Sequence, residues 1–389
     1  MNLPLTGSRV LIVDDNAFNR RSLALVIGRL GITDIEFAEN GEEGLAKIDG
    51  FRPDLILLDV EMPVMDGLEM CRSLRRNATH EQLPVLFQTA YDSDEEQVRC
   101  FEAGGTDFIS KPIKPGECAA RVRHQLEKRR LFNDLAAFRE RVERELRLAQ
   151  SMQLSLLPEP ARVDAIAHEF GLTLDAHFET SSELGGDFWN VYKLGERRVA
   201  FLIVDFAGHG ITAAINTFRL HMLIERIPMN DITPSDWLSR LNLALKDVLP
   251  VGQFATAFFG VLDLATDRLT YAAAGSPKPV LGTGGSLEML DSAGLVLGVS
   301  RRARYEDRTL RLPRGGFLFL YSDALIEAEP DPARPDLAPI TQESVPDLVA
   351  AALAAAPKAP LRHMLDRFNA GARAPLRDDL TAIWIQRKP

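Results

Sequence analysis

The sequence predicts an α/β domain, then a long helix, then an α+β domain. Over about the first 120 residues, short apolar runs alternate with amphipathic stretches, which is typical of a parallel sheet covered by helices on both faces. From about residue 121, glycine and proline disappear until Pro158 while arginine and glutamate become frequent. This pattern indicates one long solvated helix. From about residue 159, apolar runs joined by short turns predict hairpins and an antiparallel sheet with a few helices.

The composition is that of a globular protein and excludes several classes. With 389 residues, 46% of them hydrophobic and 26% charged, the chain is expected to form two to three domains. No apolar run approaches the roughly 18–20 residues of a membrane span. The N-terminus lacks the features of a signal peptide, so we expect a cytoplasmic protein without a membrane partner. Asp and Glu outnumber Lys and Arg by 55 to 45, which argues against nucleic acid as a partner.

Polar side chains follow four apolar runs of the first domain. These residues are Asp14 and Asp15, Asp59, Thr89 and Lys111. In a parallel sheet the carboxyl ends of the strands meet at one edge, so we expect these side chains to converge. Crowded carboxylates repel one another unless a cation is bound, and Mg²⁺ prefers oxygen ligands. One carboxylate can then act as the nucleophile toward a phosphoryl group. The alternative is that each residue merely ends its strand as a turn former.

In combination these residues resemble the response-regulator receiver domain over about residues 8–123. The matching motifs are Asp14-Asp15, Asp59 with Met62-Pro63 and Asp66-Gly67, Thr89-Ala90, and Lys111-Pro112. The resemblance implies a flavodoxin-like fold with five parallel strands. It also implies that Asp59 accepts a phosphoryl group from a histidine kinase or a phosphotransfer protein.

The resemblance to receivers further assigns roles to individual residues. Asp14, Asp15 and Asp59 would hold Mg²⁺ together with the backbone carbonyl of Glu61. Thr89 and Lys111 would contact the phosphoryl group. Two further expectations are a cis peptide bond between Lys111 and Pro112, and a switching aromatic side chain at Phe108.

Apolar residues in the helical segment recur at alternating steps of four and three. They are Leu131, Leu135, Phe138, Val142, Ala149, Met152 and Leu156, with Glu145 as the one interruption. This heptad pattern predicts a continuous helix of roughly 50 Å over residues 121–157. We expect a linker over residues 124–158 that pairs two copies of the chain as a coiled-coil homodimer. The alternative is a helix packed on a neighbouring domain.

Four more aspartates stand beside predicted strands or glycines in the last segment. They are Asp187 in Gly185-Gly186-Asp187-Phe188, Asp205 before Phe206, Asp323 after Tyr321-Ser322, and Asp378 before Asp379-Leu380-Thr381. If the sheets bring them together, they form an oxygen-rich site for two Mg²⁺ or Mn²⁺ ions. Such a pair of ions activates water and holds phosphoryl oxygens. Taken singly, each Gly-Asp or Asp-Ala step is better explained as an ordinary turn.

Together these motifs resemble the SpoIIE/RsbU-like branch of the PPM metal-dependent serine/threonine protein phosphatases. The match runs from about residue 150 to 389 and includes Leu156-Leu157-Pro158, Phe254–Gly260 and Gly294–Gly298. The resemblance implies a β-sandwich flanked by helices and no covalent enzyme intermediate. Asp187 and Asp205 would bind metals jointly with the backbone carbonyl of Phe206, and Asp323 and Asp378 would complete the catalytic site. The expected domains are residues 1–123, 124–158 and 159–389.

The sequence departs from this phosphatase family at four places. Asn190 stands where a second acid is common, Ser276 where histidine is usual, Ala324 where glycine is usual, and Phe206-Ala207 where Val-Ser is commoner. None of these removes an expected ligand. A positive φ at Ala324 would cost about 1–2 kcal/mol, so we expect backbone strain there.

The two resemblances imply a phosphatase that is controlled by phosphorylation of Asp59. The family suggests that the substrate is a phosphorylated STAS-domain anti-sigma-factor antagonist. The alternative is an adaptor similar to RssB, a pseudophosphatase that binds a sigma or anti-sigma partner without catalysis. The enzyme is favoured because the sequence retains all four expected metal-binding aspartates. No helix-turn-helix follows the receiver pattern, which argues against a DNA-binding regulator.

Overall fold

The computed structural model describes residues 5–77, 82–90, 94–208 and 210–389. These residues form two compact units that divide between Val142 and Glu143. Within the described residues, no helix has both the length and the apolar composition needed to cross a membrane.

The first unit is built on one parallel sheet with the strand order β2-β1-β3-β4-β5. Alternate residues of a strand pack on opposite faces: Val10 and Ile12 join the apolar cluster on one face, whereas Leu11 and Val13 join the cluster on the other. Burial on both faces explains the continuous apolar runs. The predicted five-stranded α/β fold is confirmed. Its elements are β1 (Arg9–Val13), α1 (Ala17–Gly28), β2 (Asp34–Ala38), α2 (Gly41–Phe51), β3 (Leu55–Asp59), α3 (Gly67–Arg75), β4 (Val85–Thr89), α4 (Asp94–Glu102) and β5 (Asp107–Ser110).

One helix of 40 residues, α5 (Pro115–Leu154), continues from the first unit into the second. Its first turns bury Cys118, Val122 and Leu126 against the sheet of the first unit. The predicted long helix is confirmed, but it begins six residues before residue 121 because it is continuous with the last helix of the receiver fold. The predicted seam is exposed in the single chain, with Leu131 and Leu135 each 63% exposed. The coiled-coil dimer stays a prediction.

The second unit contains two antiparallel sheets of five strands, in the orders β13-β10-β9-β8-β7 and β12-β11-β14-β15-β6. One apolar cluster joins the two sheets through side chains such as Phe201 and Phe258 of the first sheet and Leu318 and Ile383 of the second. Two further clusters pack helices on the outer faces. The predicted β-sandwich flanked by helices is confirmed.

The strands of the second unit are β6 (Leu172–Glu179), β7 (Asp187–Lys193), β8 (Arg198–Phe206), β9 (Ala255–Asp263), β10 (Arg268–Ala274), β11 (Val280–Thr283), β12 (Ser286–Met289), β13 (Arg308–Arg311), β14 (Phe317–Tyr321) and β15 (Leu380–Arg387). The helices are α6 (Pro160–Glu169), α7 (Ile211–Ile224), α8 (Pro234–Val248), α9 (Ala324–Glu327), α10 (Val345–Ala355) and α11 (Pro360–Gly371).

The junction of β3 and α3 depends on a glycine, which yields a stability prediction. A Cβ on Gly67 would lie 2.0 Å from the carbonyl oxygen of Asp59, so Gly67→Ala must displace backbone. We expect it to lower the free energy of unfolding by about 1–3 kcal/mol. Gly50 in α2 has no atom within 4 Å of such a Cβ, and Gly50→Ala should stabilise by about 0.5–1 kcal/mol. Scanning calorimetry of the whole chain measures both changes. Equal effects from the two variants would contradict the steric requirement for glycine at position 67.

Candidate phosphoacceptor and metal sites

The receiver cleft brings three carboxylates together at the carboxyl edge of its sheet. Asp14 directly follows β1 and Asp59 ends the neighbouring strand β3. The parallel register pairs Val13 with Leu58, so the next residues, Asp14 and Asp59, lie side by side. Asp14, Asp15 and Asp59 each offer an oxygen atom within 4.8 Å of the other two. Asp14 is held by hydrogen bonds from the Asn16 backbone N–H (2.8 Å) and the Asn19 side-chain amide (3.1 Å). This spacing suits one small cation with oxygen ligands.

Lys111 supplies a positive charge within the same cleft. Its Nζ lies 2.7 Å from Asp59 Oδ2 and 3.6 Å from Asp14 Oδ2. Burial raises the pKa of the Asp59 carboxyl, while the hydrogen bond and charge of Lys111 oppose that rise. The ammonium therefore helps to keep Asp59 ionised, as a nucleophile requires.

Thr89 and Glu61 line a cleft of about 300 Å³ together with Asp15, Asp59 and Lys111. Thr89 ends β4, and its hydroxyl donates to Glu96 Oε2 at 2.9 Å. Glu61 lies at the cleft, and the Lys111–Pro112 peptide bond is cis. Phe108 is half-buried, with the Arg121 guanidinium 5.4 Å from its ring centroid. The cleft is thus lined by Asp59, Thr89 and Lys111, the three side chains that the resemblance assigned to phosphoryl transfer and contact.

In the second unit, Asp187 and Asp205 face each other across two paired strands. Asp187 begins β7 and Asp205 lies near the end of β8, and the antiparallel register pairs the two residues directly. Side chains at directly opposed positions start about 4.5–5.5 Å apart, so two like charges there destabilise the pair. Both side chains are nearly inaccessible, with 1% and 8% of their residue surfaces exposed. This pair forms the buried floor of the candidate site.

Asp323 and Asp378 approach this pair from the other sheet. Asp323 follows β14 and Asp378 precedes β15, and these strands are antiparallel neighbours whose ends meet. Thr381 of β15 donates to Asp187 Oδ2 at 2.6 Å, which joins the two sheets at the site. The four carboxylates are spread more widely than those of the receiver. Within the described residues, no three of them offer oxygen atoms that all lie within 4.8 Å of one another.

The mutual effect of the four carboxylates appears in their pKa values. Burial raises the pKa of Asp187 and of Asp205 well above the ordinary range. The charges of Asp187, Asp323 and Asp378 add to the rise at Asp205. Burial and the neighbouring Asp378 raise the pKa of Asp323 to about 6. The four aspartates therefore share one electrostatic environment in which full ionisation is unfavourable without a compensating charge.

Sequence analysis did not single out Asp379, which the structure buries beside Asp187. Asp379 is 1% exposed and accepts hydrogen bonds from the backbone N–H groups of Ser181 (2.7 Å) and Gly186 (2.5 Å). It therefore ties the loop before β7 to the start of β15. The only signal in the sequence was its place next to Asp378, which does not distinguish a ligand from a loop anchor.

The residues present fit divalent cations. Asp187 Oδ1 is buried and has no hydrogen-bond partner among the residues that the structure describes, so it is available to coordinate a cation. All the assigned side-chain ligands are carboxylates, which is the donor set preferred by Mg²⁺ and Mn²⁺. Phe206 ends β8 directly after Asp205, where its carbonyl oxygen would be the shared backbone ligand. His209, three residues after Phe206 in the sequence, lies outside the described residues.

Two of the departures from the family now have a structural description. Ala324 is the first residue of α9 and is absent from the described non-glycine residues with positive φ, so the expected strain at Ala324 is wrong. The cause is that Asp323 precedes a helix rather than a left-handed turn. Ser276 is 8% exposed, and its hydroxyl has no partner in the described chain.

Comparison with known proteins gives two family matches. The sequence model of the response regulator receiver domain matches residues 10–123, and that of stage II sporulation protein E (SpoIIE) matches residues 195–388. The response regulator MprA of Mycobacterium ulcerans is 43% identical over 129 residues, which are 33% of this chain and 54% of that protein. This chain therefore spans about half the length of the curated relatives it matches.

Solved structures resemble the second unit. The SiaA-PP2C domain of Pseudomonas aeruginosa superposes with a TM-score of 0.56 at 18% identity, covering 64% of this chain and 99% of that one. This likeness shows the fold. The RsbU and RsbW domains of a Mycobacterium tuberculosis protein align with a TM-score of 0.45 at 26% identity, covering 56% of this chain and 60% of that one.

The fold and the two matches together indicate a receiver domain followed by a SpoIIE-type domain of the metal-dependent serine/threonine phosphatase class. Residues 10–123 thus match the response regulator receiver domain and residues 195–388 match SpoIIE. Receivers bind Mg²⁺ and take phosphoryl groups from donors such as kinases, and phosphatases of this class depend on divalent metals.

The crowding of carboxylates predicts an unusual effect of Asp205→Asn. Without metal at pH 7.5, the variant should unfold at a higher temperature than the wild type, by about 2–4 °C for each kcal/mol of repulsion removed. Because a raised acid pKa means that folding is favoured as pH falls, the wild type regains stability on acidification as Asp205 and Asp323 take up protons, with the pKa of Asp323 at about 6. The difference between variant and wild type should therefore shrink toward pH 5.

Thermal unfolding in EDTA measures this difference, with Asp366→Asn as the control because Asp366 is exposed on α11. An Asp205→Asn protein that is less stable than the wild type at pH 7.5 would contradict carboxylate repulsion at the site.

Proposed function

We propose that this protein is a response regulator in which phosphorylation of Asp59 controls a Mg²⁺- or Mn²⁺-dependent phosphoserine/phosphothreonine protein phosphatase. The observation that carries the catalytic half is the convergence of Asp187, Asp205, Asp323 and Asp378, residues separated by nearly two hundred positions, at one end of the sandwich. A purely structural role does not account for four neighbouring carboxylates, two of them buried, that repel one another.

In this proposal Asp187 and Asp205 hold two divalent cations with the Phe206 carbonyl, and Asp323 and Asp378 complete the site. Bound cations would supply Lewis acidity, lowering the pKa of water and neutralising phosphoryl oxygens. The protein's own contribution is orientation. Thr381 fixes one oxygen of Asp187 and leaves the other unbonded, and the buried floor restricts the access of bulk water.

In the receiver, Asp59 would accept the phosphoryl group while Asp14, Asp15 and the Glu61 carbonyl hold Mg²⁺. Thr89 and Lys111 would then contact the phosphoryl oxygens, exchanging their present partners Glu96 and Asp59 for a more highly charged group. The donor would be a histidine kinase or a phosphotransfer protein. Receivers act as two-state switches, and the change would pass along α5 to the segment Ser182–Asp187.

The substrate in this proposal is a phosphorylated STAS-domain anti-sigma-factor antagonist, which the SpoIIE family match supports. The exposed seam of α5 supports a homodimer through the linker, because Leu131, Leu135 and Phe138 each leave more than half of their surface exposed in the single chain. The second candidate is an adaptor without catalysis. The unbonded Oδ1 of Asp187 favours the enzyme, because an adaptor gains nothing from an unsatisfied buried oxygen.

The catalytic assignment predicts that Asp205→Asn and Asp323→Asn each abolish Mn²⁺-dependent hydrolysis of a phosphorylated STAS protein. Loss of one carboxylate removes a metal ligand, so activity should fall by at least 10²-fold. Phosphate release is measured against Mn²⁺ concentration, with Asp366→Asn as the control. Near-normal turnover in both variants would favour the adaptor.

The regulatory assignment predicts that Asp59→Ala uncouples phosphatase activity from the receiver. Beryllofluoride with Mg²⁺ should change the activity of the wild type and leave that of Asp59→Ala unaltered, because the variant lacks the acceptor carboxylate. Phosphatase rates with and without beryllofluoride give the result. An equal response in the two proteins would mean that the receiver does not control the enzyme through Asp59.

A further inference from the structure

Gln88, the residue before Thr89 on β4, carries a fully buried amide that has no partner. Its exposed fraction is 0%, and neither its Nε2 nor its Oε1 forms a hydrogen bond with the residues that the structure describes. A primary amide has two N–H donors and a carbonyl acceptor, and leaving both ends unpaired in a buried place lowers stability. Since buried polar side chains are nearly always paired, this exception indicates a partner that arrives in another state of the protein.

Strand register places Gln88 directly beside Asp59. The parallel pairing of β3 with β4 matches the two residues, and neighbouring strands lie about 4.8 Å apart. Two residues earlier on these strands, Leu57 and Leu86 both pack in the apolar cluster that includes α1 and α5. Because alternate residues of a strand share a face, Asp59 and Gln88 lie on this same face of the sheet. The amide is therefore the cross-strand neighbour of the carboxylate that would accept the phosphoryl group.

The groups around Asp59 leave the amide two suitable partners. Lys111 Nζ lies 2.7 Å from Asp59 Oδ2 and 3.6 Å from Asp14 Oδ2, and an ammonium has a third donor to offer. Gln88 lines the same cleft as Asp59 and Lys111, and a phosphoryl group there brings three strong acceptor oxygens. Thr89, one residue further on, instead directs its hydroxyl toward α4. An acceptor and a donor from Gln88 thus match an ammonium and a phosphoryl oxygen.

We propose that Gln88 is a phosphoryl-binding residue of the receiver. Its Nε2 donates to an oxygen of the phosphoryl group on Asp59, and its Oε1 accepts from the Lys111 ammonium. This inference rests on the proposed role of Asp59. A change of rotamer in Gln88 or Lys111 makes both contacts across neighbouring strands. Because the amide is paired only in the phosphorylated state, it biases the receiver toward that state.

Gln88→Met keeps the approximate shape of the side chain and removes both the donor and the acceptor, so two effects of opposite sign are expected. The unmodified full chain should unfold at a higher temperature than the wild type, because an apolar side chain replaces an unpaired buried amide. Binding of beryllofluoride with Mg²⁺, which imitates the phosphoryl group, should weaken by about 10–100-fold, the loss expected for hydrogen bonds to charged groups. A residue that merely packs the core would not combine the two effects.

Titration of the full chain with beryllofluoride at a fixed Mg²⁺ concentration, followed by ¹⁹F NMR, gives the half-saturating concentration, and calorimetry gives the unfolding temperature. Asp59→Ala supplies the background signal. The matched control is Gln125→Met, because Gln125 is 6% exposed on α5 and lines a different cleft with Pro84 and Thr106, which directly precede β4 and β5 at the other end of the sheet. This control should bind beryllofluoride as the wild type does.

The outcomes separate the contact from the proposed function. Equal beryllofluoride binding by Gln88→Met and the wild type overturns the contact and leaves the role of Asp59 intact. Weaker binding by Gln88→Met, in a protein whose phosphatase activity does not respond to beryllofluoride, supports the contact and overturns only the proposed regulation. A wild type that binds no beryllofluoride overturns both.

The wild-type protein provides the test if Gln88→Met does not fold. A nuclear Overhauser effect between the bound ¹⁹F nuclei and the side-chain N–H protons of Gln88 should appear when beryllofluoride and Mg²⁺ are added. The N–H protons of Gln125 should show none. Absence of the effect at Gln88, with beryllofluoride bound, would overturn the proposal.

Discussion

Repulsion between buried carboxylates is the constraint on which the second unit depends. Antiparallel pairing of β7 with β8 sets Asp187 directly opposite Asp205, and the ends of β14 and β15 bring two more acids to the same place. Burial strengthens this repulsion because the surroundings screen charge poorly. In the described chain, no ion pair joins Asp187, Asp205 or Asp323 to a lysine or arginine. The compensating charge must therefore come from protons or from bound cations.

The receiver handles the same problem differently. Its three acids are closer together, but Lys111 reaches Asp59 and Asp14 and supplies a permanent positive charge. One cation is then sufficient, and the ammonium remains available to a phosphoryl group. Under the proposed function this contrast has a chemical reason: a site that stores a phosphoryl group would benefit from a fixed counter-charge, whereas a site that hydrolyses one would depend on ions whose occupancy can be changed.

Much of this could be predicted from the sequence, because acids at strand ends stand out wherever the strands are continuously apolar. The parallel sheet was accessible for that reason, the long helix because glycine and proline are missing from its segment, and the sandwich through the resemblance carried by the motifs around its acids. Strand β2, at the edge of its sheet, buries only Ala38 and carries no apolar run, and β6 is half exposed in the same way. Asp379 and Gln153 were missed because their roles arise from contacts across 193 and 32 residues of sequence. The strain expected at Ala324 was wrong because a family preference for glycine does not determine φ in this chain.

The end of α5 is held by one buried amide, that of Gln153, which is 3% exposed. A helix advances by about 100° per residue, so a residue on an otherwise solvated helix reaches its partners in only one rotational state. Between residues 143 and 154 the other side chains lie exposed or half-buried, and they offer little resistance to rotation. The orientation of this helix end therefore depends on one amide and its hydrogen bonds to Gly185 and Thr217.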